Sequence, residues 1–245
     1  MVSCSNWIKL RCGVPQGSIV GPLLFLIYIN DLPSIANKNN ILYADDTSLI
    51  LTDNYRNDFP CNVHKLFEDL NTWFDNNLLN LKFDKTQYME FKTKKHFNHN
   101  RQVQHNLNYI TNTSVTKFLG LIIDHTVTWN QHILQLTKKM TTACYALSFV
   151  KHSLPLQALK IIYHAFVHSI MCYGIIFWGT STDVNKVFVL QKKIIRIMNN
   201  KRPRDSCREI LKRMQILNFY SQHIYSLLLF TVSSIHLFTL NNEIH

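Results

Sequence analysis

The ten residues ILYADDTSLI, Ile41 to Ile50, constrain the chain more than any other stretch. Asp45 and Asp46 interrupt a run of strand-forming residues that would otherwise be continuously apolar. An ionised carboxylate beside a core is costly unless something neutralises it, so the pair must lie where the chain leaves the core. Adjacent residues of a regular strand point to opposite faces, and two neighbouring carboxylates converge only where the strand turns. The stretch therefore reads as a hairpin, with Ile41 to Tyr43 and Thr47 to Thr52 as short strands and the aspartates at the tip. Such a tip is either an ordinary solvated Asp-rich turn or a ligand set for a hard divalent cation such as Mg²⁺, which binds through one or two carboxylates and substrate phosphates. Two such ions activate a hydroxyl and stabilise the leaving oxygen in phosphoryl transfer.

Of the 245 residues, 47% are hydrophobic and 17% charged, enough to bury the core of one large domain or two smaller ones and to exclude a disordered tail. The net charge of +11 is not spread evenly. Residues 138–213 hold 14 Lys and Arg against 3 Asp and Glu, whereas residues 1–137 hold 12 against 11. A clustered excess suits a polyanion such as nucleic acid; an anionic membrane surface and a merely solvated basic face are the competing readings. Cys4, Cys12, Cys61, Cys144, Cys172 and Cys207 show no close pairing of the zinc or redox kind, so reduced thiols are expected. With no secretory signal at Met1, an intracellular protein is expected. Ile224 to Leu240 is nearly long enough to cross a bilayer. Its three serines, two threonines and His236 make a buried helix, with no membrane partner, the expectation instead.

The pattern mixes helix and strand to about residue 128 and is helical beyond it. Gly13 to Ser18 reads as a tight loop before an apolar helix, Ile19 to Asn30, stopped by Asp31-Leu32-Pro33. Val63, Leu66, Phe67, Leu70, Trp73, Phe74 and Leu78 mark an amphipathic helix over Asp58 to Asn80. Thr86 to Phe91, with Met89 and Phe91 on one face, and the alternating Val103, His105, Leu107 and Tyr109 read as strands around the loop KTKKHFNHNRQ. Val115 to Asp124 reads as a further strand of that sheet, with Gly120 allowing a bulge. Ile133, Leu136, Met140, Cys144, Leu147 and Val150 then form a helical stripe. Ala158, Ile162, Tyr163 and Phe166 form a second, and Val187, Leu190, Ile194 and Met198 a third, opposite Lys186, Lys193, Arg196 and Asn200.

Together, GVPQGSIVGPLLFLIYINDLP (Gly13 to Pro33), YADDTSLI (Tyr43 to Ile50), LNLKFDKTQYMEF (Leu79 to Phe91), KFLGLIID (Lys117 to Asp124) with Trp129 and His132, and LQKKIIRIMNN (Leu190 to Asn200) occur in a telling order. The chain resembles the reverse transcriptases of jockey-like non-LTR retrotransposons over almost its whole length, and the first two motifs together are highly specific. The resemblance implies an α+β fold. Residues 1–128 would form a partial polymerase palm, a small antiparallel sheet backed by helices, and residues 129–245 an all-helical thumb with a basic C-terminal region. It implies RNA-directed DNA polymerase chemistry with Mg²⁺ or Mn²⁺, an RNA template, a DNA primer and deoxynucleoside triphosphates. Asp45 looks like a metal-binding catalytic carboxylate and Asp46 like its less critical neighbour; Lys85 matches a lysine that stabilises the leaving pyrophosphate. Gln16, Gly17, Ser18, Tyr43 and Ala44 match the positions that support template and incoming nucleotide, where glycine permits close approach. Phe118, Leu119 and Gly120 match the primer grip. Lys138, Lys139, Lys186, Lys193 and Arg196 suit sequence-independent contacts to the nucleic-acid backbone.

Each role has a plainer rival: Lys85 as a solvated residue before a strand, Phe118 and Leu119 as sheet core. Trp129 and His132 are read as packing residues, and His96, His99 and His105 lack the partners a metal site needs. The resemblance also calls for a catalytic aspartate on a strand upstream of Gly13, whereas only 12 residues precede it and none is acidic. The expectation is a fragment of a polymerase, without its fingers, inactive alone and nuclear at its point of action within an active element. The alternatives are a non-catalytic nucleic-acid-binding remnant and a membrane-associated helical protein; the oligomeric state stays open.

Overall fold

The computed structural model describes residues 14, 17–35, 40–52, 59–91, 103–105 and 108–238, with the backbone alone at 59–62, 103–105 and 108–109. The fold is α+β, with small, mostly antiparallel sheets and many helices. It divides into two compact units, residues 1–88 with 98–112 and residues 89–97 with 113–245. Of the sequence readings, Gly13, Pro15 and Gln16, the 92–102 loop with His96 and His99, Leu107, and Cys4 and Cys12 lie outside the described residues, as do the side chains of Cys61, His105 and Tyr109.

The first unit opens with helix α1, Val20–Tyr28, in whose first turn Pro22 is tolerated because that turn needs no N–H donor. The expected stop at Asp31 to Pro33 is a turn followed by one more helical turn, α2, Leu32–Ile35. Strands β1, Asn40–Tyr43, and β2, Asp46–Leu49, pair antiparallel from Asn40 opposite Leu49 to Tyr43 opposite Asp46. Helix α3 runs Phe59–Asn76. Its buried Leu70 and Trp73 join Ile29 and Leu32 in a cluster that Leu42 and Leu49 cover from the inner face of the hairpin. The Trp73 indole N–H donates to Asp31 Oδ2 at 3.1 Å and the Tyr28 hydroxyl to the Asn77 carbonyl, fastening α1 and α2 to the end of α3. Leu78, expected on the apolar face, is 90% exposed. It takes the left-handed position that ends the helix, at φ 53°, and Leu79 folds back in its place, its N–H donating to Phe74 O at 2.8 Å.

After a 3₁₀ turn at Phe83–Lys85, the expected strand Thr86 to Phe91 shrinks to β3, Gln87–Tyr88, and Phe91 is exposed. The single strand expected around residues 103–109 is two. β4, Val103–His105, pairs antiparallel with β5, Asn108–Asn112, which pairs parallel with β3.

The second unit begins with strands β6, Val115–Phe118, and β7, Leu121–Asp124. Val115 to Asp124 is thus a hairpin and a two-stranded sheet of its own, not one bulged strand in a larger sheet. The cause is Leu119 and Gly120, both left-handed at φ 44° and 87°, as a two-residue hairpin turn favours. Helix α4, Asn130–Val150, buries the predicted stripe from Ile133 to Leu147 against α8, Val184–Met198. α5, Leu156–Tyr163, continues through a π-helical turn at His164–His168 into α6, Ser169–Cys172. Leu159, Tyr163, Val167 and Met171 are its buried residues, while Phe166, expected inward, is 61% exposed. The wider π turn absorbs the drift that steps of four would accumulate at 3.6 residues per turn. Short α7, Ile175–Trp178, and α9, Arg208–Met214, complete the packing, with Cys144 and Cys207 buried as free thiols.

Helix α10, Phe219–Ser233, is capped by the Asn218 side chain, which accepts the Ser221 N–H at 3.0 Å. It buries only Phe219, Gln222 and His223; Ile224, Leu228 and Val232 are exposed, so the buried helix expected from Ile224 onward is not buried here. Among the described residues, no helix is long and apolar enough to cross a membrane.

Candidate functional site

Two hairpin turns, one in each unit, gather most of the candidate palm residues; the others lie on loops and helices. In the first unit the β1–β2 turn is Ala44 and Asp45, closed by the Tyr43–Asp46 pair. Inward Leu42 and Leu49 anchor the strands, so Tyr43, Ala44, Asp45 and Asp46 stand exposed at the tip. Ala44 holds φ 51°, a left-handed conformation that costs a non-glycine residue about 1–2 kcal/mol and persists where the surroundings impose it. Neither aspartate carboxylate accepts a hydrogen bond or ion pair from the described residues. Two adjacent, unpartnered, exposed carboxylates are hard oxygen donors of the kind Mg²⁺ takes, and they fit such an ion as part of a ligand set. No third His, Cys, Asp or Glu joins them among the described residues.

Gly17 lies in the loop before α1 at φ 88°, with no atom of the described residues beyond its chain neighbours within 4 Å of where a side chain would start. The Ser18 hydroxyl accepts the Val20 N–H at 3.3 Å. Lys85 ends the 3₁₀ turn with an exposed side chain. The structure therefore gathers Tyr43 to Asp46 at one tip and leaves Gly17, Ser18 and Lys85 on separate loops of the same unit.

In the second unit Phe118 and Leu119 are half-buried and Gly120 is exposed, at the β6–β7 turn. The Tyr173 hydroxyl donates to the Leu119 carbonyl, and the ring lies 3.3 Å from where a Gly120 Cβ would stand. Gly120→Ala adds a left-handed strain to that crowding and is expected to destabilise the unit by about 1–2 kcal/mol, read from the urea midpoint. Below the turn, a cleft of about 320 Å³ is lined by Gly120, His132, Gln135, Lys139, Ser169 and Tyr173 among others.

The strand leaves this turn through Asp124, whose side chain organises the entry to α4. Its Oδ1 accepts from the Thr126 hydroxyl at 2.6 Å and the Thr128 N–H at 2.9 Å, and its Oδ2 accepts the Trp129 N–H at 2.8 Å. Burial pushes the carboxyl up, but the hydrogen bonds from Thr126, Thr128 and Trp129 outweigh it and hold the pKa at about 2. Because this lies below the ordinary 3.8, the contribution to stability is complete above about pH 4 and is lost as pH falls toward 2. Asp124→Asn is expected to flatten that acid limb, with at most about 2 kcal/mol lost at neutral pH, measured by denaturation across pH 2–6.

His132 is buried beside Trp129 and Trp178, its Nδ1 accepting the Ile122 N–H at 3.4 Å, and burial followed by the Lys139 charge holds its pKa below the usual histidine value. Trp129 and His132 are packing residues in this unit. Of the cations, Lys138, Lys139 and Lys193 are exposed, Lys186 pairs with Asp183 at 2.8 Å, and half-buried Arg196 donates from Nε to the Asp205 carbonyl. Sequence reasoning missed Tyr173 and Asp124. The threonines two and four residues after Asp124 were a usable sign of a side-chain-capped turn; nothing in the sequence around Tyr173 pointed to Leu119.

The model of the family described as "Reverse transcriptase (RNA-dependent DNA polymerase)" matches residues 3–123. The chain is 27% identical over 204 residues to a Drosophila melanogaster protein named "Probable RNA-directed DNA polymerase from transposon BS", covering 78% of this chain and 22% of that one. It is 23% identical over 200 residues to "RNA-directed DNA polymerase from mobile element jockey" of the same species, covering 76% of this chain and 22% of the relative. A jockey polymerase of Drosophila funebris is 25% identical over 210 residues, with 79% and 22% covered. This chain therefore spans about a fifth of the length of these relatives. No solved structure matches it.

Proposed function

We propose, for a chain whose residues 3–123 belong to the reverse transcriptase (RNA-dependent DNA polymerase) family, that it is part of a mobile-element polymerase that copies RNA by adding nucleotides to a primer 3′-hydroxyl. The observation that carries this reading is the Asp45–Asp46 pair, without a partner among the described residues, on an anchored hairpin tip. Asp45 and Asp46 would hold a divalent cation, Mg²⁺ or Mn²⁺, which when bound supplies positive charge to activate the hydroxyl and stabilise the leaving oxygen. Tyr43 and Ala44, with Gln16, Gly17 and Ser18, support template and incoming nucleotide. Lys85 carries positive charge for the leaving pyrophosphate. Phe118, Leu119 and Gly120 position the primer end, on a turn that Tyr173 steadies. In this reading residues 1–128 are palm and residues 129–245 thumb, and the protein acts in the nucleus, where RNA template and target DNA meet.

Two metals facing a triphosphate need at least one more fixed carboxylate than Asp45 and Asp46 provide. The polypeptide of residues 1–245 is thus expected to extend no primer alone. Extension of an RNA-templated DNA primer by this purified chain with Mg²⁺, abolished by Asp45→Ala, would overturn the requirement for further sequence. A second reading, nucleic-acid binding without catalysis, is favoured by the exposed cations of the second unit that have no ion pair among the described residues. It predicts affinity that falls with salt and ignores Asp45.

A further inference from the structure

We infer that the turn joining α8 to α9 together with the first residue of α9, residues 199–208, is a pre-formed contact surface for the phosphate backbone of double-stranded nucleic acid. The inference rests on the nucleic-acid reading of the second unit and moves its footprint away from Lys186 and Arg196. Lys186 has its charge answered by Asp183, and the Arg196 guanidinium is turned onto the Asp205 carbonyl. Lys193, Lys201, Arg202, Arg204 and Arg208 are exposed, and their side chains have no ion pair or hydrogen bond among the described residues. The nearby acids offset them only in part. Glu209 lies 3.6 Å from Lys212, and the Asp205 carboxylate accepts the backbone N–H of Arg202, so residues 199–208 carry four exposed cations against one aspartate.

The turn is held in one shape, which a merely solubilising loop does not require. Arg196 Nε donates to Asp205 O at 2.8 Å, Lys201 N–H to Arg196 O at 2.9 Å, and Asp205 N–H to Arg202 O at 3.1 Å. At its ends the Asn199 amide donates to Ile195 O at 2.9 Å and the Cys207 thiol to Lys192 O at 3.5 Å, with Cys207 itself buried. A backbone ordered before binding leaves less entropy to be lost on contact. Three of the four cations within residues 199–208 are arginines, whose planar forks match phosphate oxygens.

The partner is a duplex because of what the surface lacks. Within residues 199–208 there is no aromatic residue to serve as a platform for the base stacking that single-strand binders use. Cations carried on a fixed backbone, without stacking groups, suit phosphates that are themselves held at fixed spacing, read without regard to sequence.

The test uses the whole chain and a mixed-sequence RNA–DNA hybrid of about 20 base pairs, with fluorescence anisotropy over a salt series. Substituting Arg202, Arg204 and Arg208 together by Ala is expected to weaken hybrid binding about 10- to 100-fold near 100 mM salt. It should also reduce the log–log salt slope by about 2–3, close to 0.9 per lost phosphate contact. All three side chains are exposed, so the fold is kept, which far-ultraviolet circular dichroism checks. Asp45→Asn should leave both numbers unchanged. Hybrid binding with an unaltered slope in the triple variant would overturn this footprint and leave the nucleic-acid reading standing. Tighter binding of the equivalent single strand would overturn the duplex assignment. Binding of phosphatidylserine vesicles but of no nucleic acid would overturn both this inference and the reading on which it rests.

Discussion

In a polypeptide that joins this chain to further polymerase sequence, Asp45→Asn is expected to lower template-directed primer extension by at least about 10²–10³-fold, the loss from removing one preorganised contact to transition-state charge. The substitution keeps size and hydrogen-bonding shape while removing the charge that a divalent cation needs. Asp46→Asn is expected to cost less, because Asp46 belongs to the strand and pairs with Tyr43, whereas Asp45 occupies the turn itself. Neither change should alter stability by more than about 0.5 kcal/mol, since both side chains are exposed and neither carboxylate has a partner among the described residues. Primer extension with Mg²⁺, run beside urea denaturation of the same variants, separates the two effects. Full activity in Asp45→Asn would remove the hairpin tip from the chemistry. Lost activity accompanied by lost stability would mean that the tip is structural.

The tip was legible because its logic is local. Carboxylates in a strand-forming run can be accommodated only at a turn, and Leu42 and Leu49 on alternate positions fix which face goes inward. The stripe from Ile133 to Leu147 was legible for a similar reason, its spacing being set within one helix. The second turn was harder. A Leu-Gly pair inside an apolar run reads equally as a bulge, and only the left-handed φ of Leu119 as well as Gly120 makes it a hairpin. That conformation is secured from 54 residues away, by Tyr173. Phe166 was misplaced because it sits in a π turn, which changes the period in a way that a 3.6-residue pattern does not reveal. The sequence showed a basic block but not its allocation, since whether a lysine is answered by an acid or an arginine turned onto a carbonyl depends on the fold.

Gln191 shows most clearly what spacing alone hides, and carries the largest expected effect on stability. Leu190 reads as the apolar position, yet it is Gln191 that is buried, 1% exposed on the inner face of α8. Its Nε2 donates to the Tyr163 hydroxyl at 3.0 Å and to Leu217 O at 2.9 Å, and its Oε1 accepts the Phe219 N–H at 2.8 Å. One amide thus joins α5, α8 and the start of α10. Tyr163 and Phe219 are fully buried, so no water takes the place of that amide readily. Gln191→Leu leaves these groups without their partner and is expected to cost about 3–5 kcal/mol, at about 1–3 kcal/mol for each buried group stranded. Gln191→Glu tests whether the cost is one of donors or of shape. An ionised carboxylate can still accept from Phe219 but cannot donate to Leu217, and burial penalises its charge, whereas the protonated acid regains a donor. With its folded pKa raised by burial, this variant should be severely destabilised at pH 7 and should recover toward the native protein as pH falls through that raised value. A Gln191→Glu protein whose deficit relative to the native chain is the same at pH 5 and pH 7 would mean that packing volume, not hydrogen bonding, is what Gln191 supplies.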